Sequence, residues 1–385
     1  MRLSAPTAGA NKLEISASVA GAQQGSEYDA EVQVGAGNRV LAIQIDPVFG
    51  LKADPQRPAR LHGIPSRVGS AALRISVRDR AGKTHTLSTL LQISANPRSL
   101  WKDLASDPAA PYPKAPYAQA YLAGPAGSCL VGVSTRGRLH ANVGGFREDD
   151  FRIAFLAREQ CVLIAADGAG SAALAREGSR IAVSCALDAL SNGLQAQGAD
   201  ANLEALLVNA AQAAFAGIQT QAAALSRPIS DFNTTLLIAM CAVRAPHTVV
   251  ALQIGDGLIA AKNGDGTWSA PLCDCEYGEY HGQTHFLSAA TTAATALQLR
   301  IRVHQFPQLQ SLLVATDGII DAYFETESAL LDSGAWQPFA QRLEIALNGV
   351  PVTPASCTTG LRQMLEEFTP GQHDDRTVAF AMWPS

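Results

Sequence analysis

The sequence predicts an α+β protein, with an N-terminal β-sandwich followed by a larger domain of packed sheet and helix layers. Residues 27–94 alternate between polar and apolar side chains in short runs, which is the period of half-buried strands. After residue 126 the pattern changes to long apolar runs separated by helical segments. A length of 385 residues also exceeds what one hydrophobic core usually organises. We therefore expect two domains, at residues 1–95 and 127–385, joined by a linker at residues 96–126.

The first domain is recognised by its strands and turns. The run from Leu73 to Arg78 alternates strictly, Asp79 to Gly82 supplies a turn, and a second alternating run extends from Thr84 to Ser94. The stretch from Gly50 to Ser94 resembles the immunoglobulin-like modules of bacterial multidomain proteins, and its GIPSRVG and DRAG turns are the matching marks. The resemblance implies an immunoglobulin-like β-sandwich that serves as an interaction or spacer module.

Prolines mark the predicted linker. Proline disfavours both helix interiors and central strands, and it recurs between residues 96 and 126. The prolines of this segment are Pro97, Pro108, Pro111, Pro113, Pro116 and Pro125.

The second domain contains apolar runs that we interpret as buried strands, separated by long helical segments. Gly178 to Leu190 is apolar nearly all round, which indicates a helix buried on both sides, and Leu203 to Ile218 repeats apolar residues at helical spacing. The strand-like runs are Val162–Ala166, Thr235–Val243, Thr248–Ile254, Leu312–Ala315 and Thr377–Ala381.

The composition limits the classes of partner. Hydrophobic residues make up 47% of the chain, charged residues 16%, and the formal net charge is −5. Such a chain has no basic field that would hold nucleic acid or an anionic membrane surface, so neither is an expected partner. We find no run of about 18 apolar residues and no N-terminal basic segment followed by an apolar one. The sequence predicts a cytoplasmic protein.

The seven cysteines are odd in number and mostly lie in apolar runs, which indicates free thiols in a reducing compartment. Cys273 and Cys275 have no second pair or histidine at ligand spacing, so no zinc site is predicted.

Acidic residues stand at the abrupt ends of apolar strands, where an unpartnered buried carboxylate would be costly. A cation is needed to neutralise them. The acidic strand ends are Asp167, Asp256, Asp317 with Asp321 four residues on, the pair Asp374 and Asp375, and the cluster Glu148, Asp149 and Asp150.

Oxygen ligands without histidine or cysteine partners select hard divalent ions, Mg²⁺ or Mn²⁺, over zinc or copper. Two such ions about 4 Å apart can activate a shared water and clamp phosphoryl oxygens for in-line attack. The acidic strand ends therefore predict hydrolysis of a phosphoryl group without a covalent intermediate.

A single Asp-Gly pair is weak support, because Asp-Gly is a favoured turn dipeptide. Asp265 and Gly266 are predicted to form only a hairpin turn. The metal interpretation depends on the recurrence of acidic strand ends in one order along the chain.

That order resembles the protein phosphatase 2C family, and in particular a bacterial subgroup that carries DGAGS, from about Cys129 to Trp383. The matching stretches are RGRLHANVGGFREDDF, VLIAADGAGSAALAREGSRIAV, FNTTLLIAM, LQIGDGLIAAKNGDG, YGEYHGQTHFLS, LLVATDGIIDAYFE and HDDRTVAFAM. The resemblance implies a four-layer α-β-β-α phosphatase fold for residues 127–385. It also implies the hydrolysis of phosphoserine and phosphothreonine in proteins, with two Mn²⁺ or Mg²⁺ ions and a third, weaker position.

The resemblance also implies roles for the acidic residues. Asp167 would bridge two ions, with Glu148 and the Gly168 carbonyl on one and Asp317 and Asp374 on the other. Asp149 would orient the attacking water. Asp256 and Asp321, with Asp317 shared, would form the third position.

The chain departs from the family at two places. Many relatives carry a phosphate-gripping arginine where this chain has Gly144, and some carry a histidine acid where it has Ala169. Arg147 and His140 are the candidate substrate-binding residues, and Arg136, Arg138 and Arg152 are alternatives because a guanidinium can grip phosphate with two hydrogen bonds. The loop from Gly278 to Phe286 is a candidate substrate-reading segment.

The resemblance suggests a cognate Ser/Thr kinase, or its targets, as partner. One alternative is a catalytically weak or inactive scaffold that binds a phosphorylated partner, and another is a phosphatase switched by the first domain.

Overall fold

The computed structural model describes residues 16–96, 99, 101–197, 201–273, 284–324, 326–347, 354–369 and 371–384, apart from the side chains of Arg158 and Glu327. The chain divides into two compact units, Met1–Trp101 and Lys102–Ser385. No helix within these described ranges is long and apolar enough to cross a bilayer.

The N-terminal unit is built from short strands in small sheets. A four-stranded sheet has the order β2-β9-β8-β5, a three-stranded sheet the order β3-β7-β6, and β1 pairs with β4. The strands are β1 (Ala17–Ser18), β2 (Ala22–Gln23), β3 (Tyr28–Glu31), β4 (Gln33–Val34), β5 (Arg39–Gln44), β6 (Leu51–Ala53), β7 (Arg60–Gly63), β8 (Gly69–Arg78) and β9 (Thr84–Ser94).

One apolar core is shared by these sheets. Leu61 of β7, Leu73 of β8 and Leu91 of β9 are completely buried in it, while alternate residues of β8 face outward. The two alternating runs predicted from the sequence are confirmed as β8 and β9. Strands β8 and β9 pair antiparallel, whereas β2 runs parallel to β9.

The second unit contains both longer strands and helices. Its strands are β10 (Tyr117–Ala123), β11 (Cys129–Thr135), β12 (Asp150–Leu156), β13 (Gln160–Ala166), β14 (Leu236–Ala242), β15 (His247–Ile254), β16 (Leu258–Asn263), β17 (Trp268–Ser269), β18 (Ile301–Phe306), β19 (Leu309–Ala315) and β20 (Arg376–Met382). Its helices are α1 (Arg138–Val143), α2 (Ala175–Gln197), α3 (Leu203–Ala224), α4 (Ala294–Arg300), α5 (Asp317–Tyr323), α6 (Gln337–Leu347) and α7 (Pro354–Leu365).

Two antiparallel sheets form the centre of this unit. One has the order β10-β11-β20-β19-β16-β17 and the other β12-β13-β14-β15-β18. A core that includes Leu163 and Leu312 lies between them. Helices α2 and α3 pack on the outer face of the five-stranded sheet, and α5, α6 and α7 pack on that of the six-stranded sheet. The predicted layers of sheet and helix are confirmed. Four of the five predicted strands lie within strands of the structure, and the fifth, Thr235–Val243, exceeds β14 by one residue at each end.

The predicted linker extended too far. Residues 117–123 form β10, which pairs along its whole length with β11 at the edge of the six-stranded sheet. Its side chains are exposed or half-buried, so the strand lacks the apolar signal of a central one. Pro116 and Pro125 flank it, which is compatible with an edge strand because proline is tolerated at strand starts and outside strands.

The sheet registers bring the acidic strand ends together. Asp150 at the start of β12 pairs with Ala166, the last residue of β13, so Glu148, Asp149 and Asp167 share one end of the sheet. Leu258 pairs with Ala315, so Asp256 and Asp317 lie side by side where β16 begins and β19 ends, at one end of the six-stranded sheet.

Candidate metal centre

Carboxylates from distant parts of the chain meet at this end of the two sheets. Asp167, Asp256 and Asp317 each offer an oxygen within 4.8 Å of the other two. A second group of atoms within the same distance comes from His140, Asp374 and Asp375.

Burial and mutual repulsion dominate the electrostatics of the centre. Burial, followed by the charges of neighbouring carboxylates that include Asp374, raises the pKa of both Asp167 and Asp317 well above the usual range. Burial also raises the pKa of Glu148 to about 7, and burial with the charge of Asp375 raises the pKa of Asp149 to about 6. These groups are therefore poised to gain from a nearby positive charge.

The residues fit a divalent cation. Three buried carboxylate oxygens, Glu148 Oε2, Asp149 Oδ1 and Asp256 Oδ1, have no hydrogen-bond partner among the described residues. A buried oxygen without a donor is costly, and cation ligation would remove that cost. The donor set is dominated by carboxylates, which suits Mg²⁺ or Mn²⁺ better than softer metals.

The backbone of Asp167 is fixed by two consecutive threonines, Thr234 and Thr235, which directly precede β14. The Asp167 amide donates to Thr235 Oγ1 at 2.9 Å, and its carbonyl accepts from the Thr234 hydroxyl at 2.7 Å and the Thr235 amide at 2.8 Å. The paired threonines of FNTTLL therefore position the predicted bridging carboxylate.

Gly168 has no room for a side chain. A Cβ there would lie 2.8 Å from the Ala175 carbonyl oxygen and 2.9 Å from the Glu148 carbonyl oxygen. Only glycine allows the DGAGS turn to approach the loop that carries Glu148.

A buried polar chain links Asp149 to the other sheet. Thr316 donates its hydroxyl to Asp149 Oδ2 at 2.8 Å and accepts from the Thr377 amide at 3.1 Å. Thr377 in turn donates to the hydroxyl of Ser134 at 2.6 Å. Because one Asp149 oxygen is held in this way, the other can face the centre.

Asp256 stands between two glycines with left-handed backbone, Gly255 (φ 95°) and Gly257 (φ 134°). Its Oδ2 accepts from the Thr284 hydroxyl at 2.6 Å. The Gly-Asp-Gly sequence thus supplies a tight turn that only glycine tolerates at both flanks.

Asp375 has a role that the sequence reasoning missed. Its carboxylate accepts from the amides of Gly137 at 2.6 Å, Asp149 at 3.2 Å and Glu148. It is buried, whereas the side chain of Asp374 is 49% exposed. The segment from Glu148 to Asp150 is here called the acidic loop. Of the two adjacent aspartates, Asp375 therefore holds the backbone of this loop, and Asp374 faces the open side of the centre.

His140 lies beside the centre, with Nε2 3.7 Å from Asp374 Oδ1. Burial disfavours its protonation, but the neighbouring carboxylates Asp374, Asp375 and Glu148 outweigh burial and raise the pKa of His140 to about 9.

The prediction for Arg147 was wrong. Its guanidinium is buried, donating to the Ser134 hydroxyl at 2.8 Å and to the Asp149 carbonyl. It therefore braces the acidic loop from inside and is not available to a phosphate. The burial arises from tertiary neighbours that a linear pattern does not reveal.

The alternative arginines are also engaged with the protein. The guanidinium of Arg136 donates hydrogen bonds to Asp103 and Ser106. That of Arg152 donates to Asp150 and Ser184. Arg138 lies over the ring of Phe368. Gly144, at the arginine position of many relatives, has a left-handed backbone (φ 71°). Residues 278–283 of the candidate substrate-reading loop lie outside the described residues.

The fold and its carboxylate cluster define a class of protein whose centre is suited to hydrolysis assisted by divalent cations. The sequence model of protein phosphatase 2C matches residues 136–366, and the chain belongs to this family. Serine/threonine-protein phosphatase 3 of Escherichia coli (strain K12) is 28% identical over 267 residues, which cover 66% of this chain and 98% of that protein.

Solved structures of bacterial phosphatases resemble the chain at low identity. The catalytic domain of serine threonine protein phosphatase PstP, in complex with 2 manganese ions, shares 18% identity with a TM-score of 0.44, covering 69% of this chain and 98% of that one. Stp1 of Staphylococcus aureus shares 14% identity with a TM-score of 0.44, covering 66% of this chain and 95% of that one.

Proposed function

We propose that the second unit is a metal-dependent serine/threonine protein phosphatase, a phosphoric monoester hydrolase. The observation that carries the proposal is the grouping of Asp167, Asp256 and Asp317 at one end of two packed sheets, with Asp374 close enough for its charge to raise the pKa of both Asp167 and Asp317. Among the described residues, three buried carboxylate oxygens at this end have no donor. Family membership and the name of the E. coli relative support the same activity.

The proposed ligands follow the predicted roles. Asp167, Glu148, the Gly168 carbonyl, Asp317 and Asp374 would hold two ions of Mn²⁺ or Mg²⁺. Asp256 and Asp321, with Asp317 shared, would hold a third ion more weakly. The grouping of Asp256 with Asp167 and Asp317 supports their common use, since their oxygens already lie within 4.8 Å of one another.

A pair of divalent ions supplies an acidified water and positive charge against the phosphoryl oxygens. The chain contributes orientation and proton transfer. Asp149 keeps one oxygen on Thr316, so its second oxygen can accept a proton from the attacking water. His140, whose Nε2 lies 3.7 Å from Asp374 Oδ1, can donate a hydrogen bond to a phosphate oxygen.

We infer that the N-terminal unit is an immunoglobulin-like β-sandwich. Sheets of four and three strands around one core support the inference. Its function as an interaction or spacer module, a kinase or its targets as partner, and a cytoplasmic location remain predictions of the sequence.

The test is hydrolysis of p-nitrophenyl phosphate and of a phosphothreonine peptide by the full chain with added Mn²⁺. We expect turnover that EDTA abolishes and that Mn²⁺ restores. Turnover that persists in EDTA contradicts the proposal, and phosphopeptide binding in calorimetry without any turnover favours the scaffold alternative.

A further inference from the structure

The segment from Lys102 to Pro116, here called the strap, precedes the residues that the family model matches and belongs to the second unit. It lies along α1 and the loop that follows it. The Leu104 amide donates to the Ala141 carbonyl at 2.9 Å, and the Ser106 hydroxyl donates to the Gly145 carbonyl at 2.6 Å. The strap is therefore attached to the backbone that leads into the acidic loop.

The end of the strap is attached to the start of α2. Arg176 donates to the carbonyls of Pro111 at 2.7 Å and Tyr112 at 3.0 Å, and the Arg136 amide donates to the Pro116 carbonyl at 2.7 Å. These bonds fix the strap on both sides of Lys114.

Lys114 points from the strap into the protein beneath the acidic loop. Its side chain is only 8% exposed. The ammonium group contacts the Asp149 carbonyl at 2.9 Å, Ser179 Oγ at 3.0 Å and Asp150 Oδ2 at 3.0 Å. An ammonium has three donors, so these partners use all of them, and the Glu148 carbonyl at 3.4 Å is a fourth, weaker neighbour.

The contacts divide the acidic loop into two sides. Asp150 turns towards Lys114, whereas the carboxylate of Asp149 turns towards Thr316 and the centre. The Glu148 carbonyl also accepts from the Ser179 hydroxyl, so the backbone of both residues is held from the side away from the cation ligands.

Removal of the ammonium would take one donor from the Asp149 carbonyl, which keeps Arg147, and one from the Asp150 carboxylate, which keeps Arg152. Loss of a charged partner from a buried cluster is costly, so these groups would move towards the remaining donors or towards water. Movement of this backbone would shift the carboxyl groups of Glu148 and Asp149 relative to Asp167.

We propose that Lys114 is a positioning residue of the metal centre, which fixes the backbone of Glu148 and Asp149 so that their carboxylates can take a divalent cation. The inference rests on the proposed function. Lys114 touches neither cation ligand oxygens nor substrate, and it acts through the loop.

The test is calorimetric titration of Mn²⁺ into the metal-free full chain, as wild type and as Lys114→Met. Groups that orient metal ligands typically change metal affinity by about 10- to 100-fold when mutated, so we expect a loss in that range. Lys262→Met is the matched control, because Lys262 forms a more exposed ion pair with Glu344 at 2.7 Å in the same unit. It should bind Mn²⁺ as the wild type does.

Circular dichroism would show whether Lys114→Met folds. If it does not, Ser179→Ala decides, since it removes one hydroxyl from the same cluster and should weaken Mn²⁺ binding by roughly fivefold, the scale of one net hydrogen bond. If Lys114→Met folds and binds Mn²⁺ with wild-type affinity, the proposal is overturned. If Lys114→Met does not fold, wild-type Mn²⁺ affinity in Ser179→Ala overturns it. Weakened Mn²⁺ binding in a protein whose wild type shows no turnover supports Lys114 and refutes the phosphatase assignment instead.

Discussion

Aspartates of the two units lie in opposite environments. In the N-terminal unit, Asp29 pairs with Arg60 at 2.5 Å and Asp79 with His85 at 2.7 Å. Hydrogen bonds from these partners lower the pKa of the exposed Asp29 and of the half-buried Asp79. Asp167 and Asp317 are half-buried among other carboxylates, and desolvation followed by the charges of those neighbours raises the pKa of both. The first kind of carboxylate finds its positive partner within the chain, and the second kind requires one from solution.

The largest expected effect comes from Asp167→Asn, which removes one charge from the centre at nearly constant shape. We expect kcat for p-nitrophenyl phosphate to fall on the order of 10³-fold, the scale seen when a group that stabilises transition-state charge is lost. Asp29→Asn applies the same chemical change to an exposed, arginine-paired aspartate and should leave kcat unchanged. Equal rates for wild type and Asp167→Asn would remove the distinction between the two kinds of carboxylate.

The second prediction tests the cores of the two units. Leu73→Ala opens a cavity at a fully buried position of β8 and should lower the free energy of unfolding of the N-terminal unit by about 2–5 kcal/mol. Urea unfolding checks the stability, and kcat should not change. A parallel fall in kcat would support control of the phosphatase by the N-terminal unit. Ile164→Ala, at a buried position of β13, is the matching change in the second unit and should reduce both quantities.

The third prediction concerns metal and stability. A ligand at 100 times its Kd stabilises the state that binds it by about 2.7 kcal/mol. Mn²⁺ should therefore raise the calorimetric unfolding transition of the second unit and leave that of the first in place. In Asp167→Asn the rise should be much smaller. A rise of both transitions, or of the first alone, would place the Mn²⁺ site elsewhere.

The smallest effect is expected from Thr316→Val, which keeps the shape of the side chain and removes the hydroxyl bound to Asp149. A hydrogen bond to a charged group contributes about 1.5–3 kcal/mol, so we expect kcat/KM to fall by at least tenfold. Thr267→Val is the control, because Thr267 donates to the exposed turn residue Asp265 at 2.6 Å. An unchanged kcat/KM in Thr316→Val would show that Asp149 needs no such support.

The carboxylate cluster was predictable because each acidic residue directly ends or precedes an apolar strand, and antiparallel pairing then brings those ends together. The hairpin at Asp265 and Gly266 was predictable for the same local reason, and it is confirmed by the pairing of β16 with β17. Both signals lie within a few residues of sequence.

The features that were missed depend on distant contacts. Lys114 stands in a proline-rich segment that has the composition of a linker, and only the fold shows its ammonium beneath Asp149. Arg147 is next to the acidic cluster in sequence, yet its direction is decided by Ser134 on another strand. Asp375 differs from Asp374 only through the amides that surround it.

The polar chain from Asp149 through Thr316 and Thr377 to Ser134 links the two sheets. It begins just before β12 of the five-stranded sheet and reaches the end of β19, then β20 and β11, in the six-stranded sheet. Sliding of one sheet over the other would therefore displace the Asp149 carboxylate, which we propose takes a proton from the attacking water. Alignment of the two sheets and the geometry of the centre therefore depend on the same contacts. A substitution in the core between the sheets that changes their alignment would be expected to lower activity.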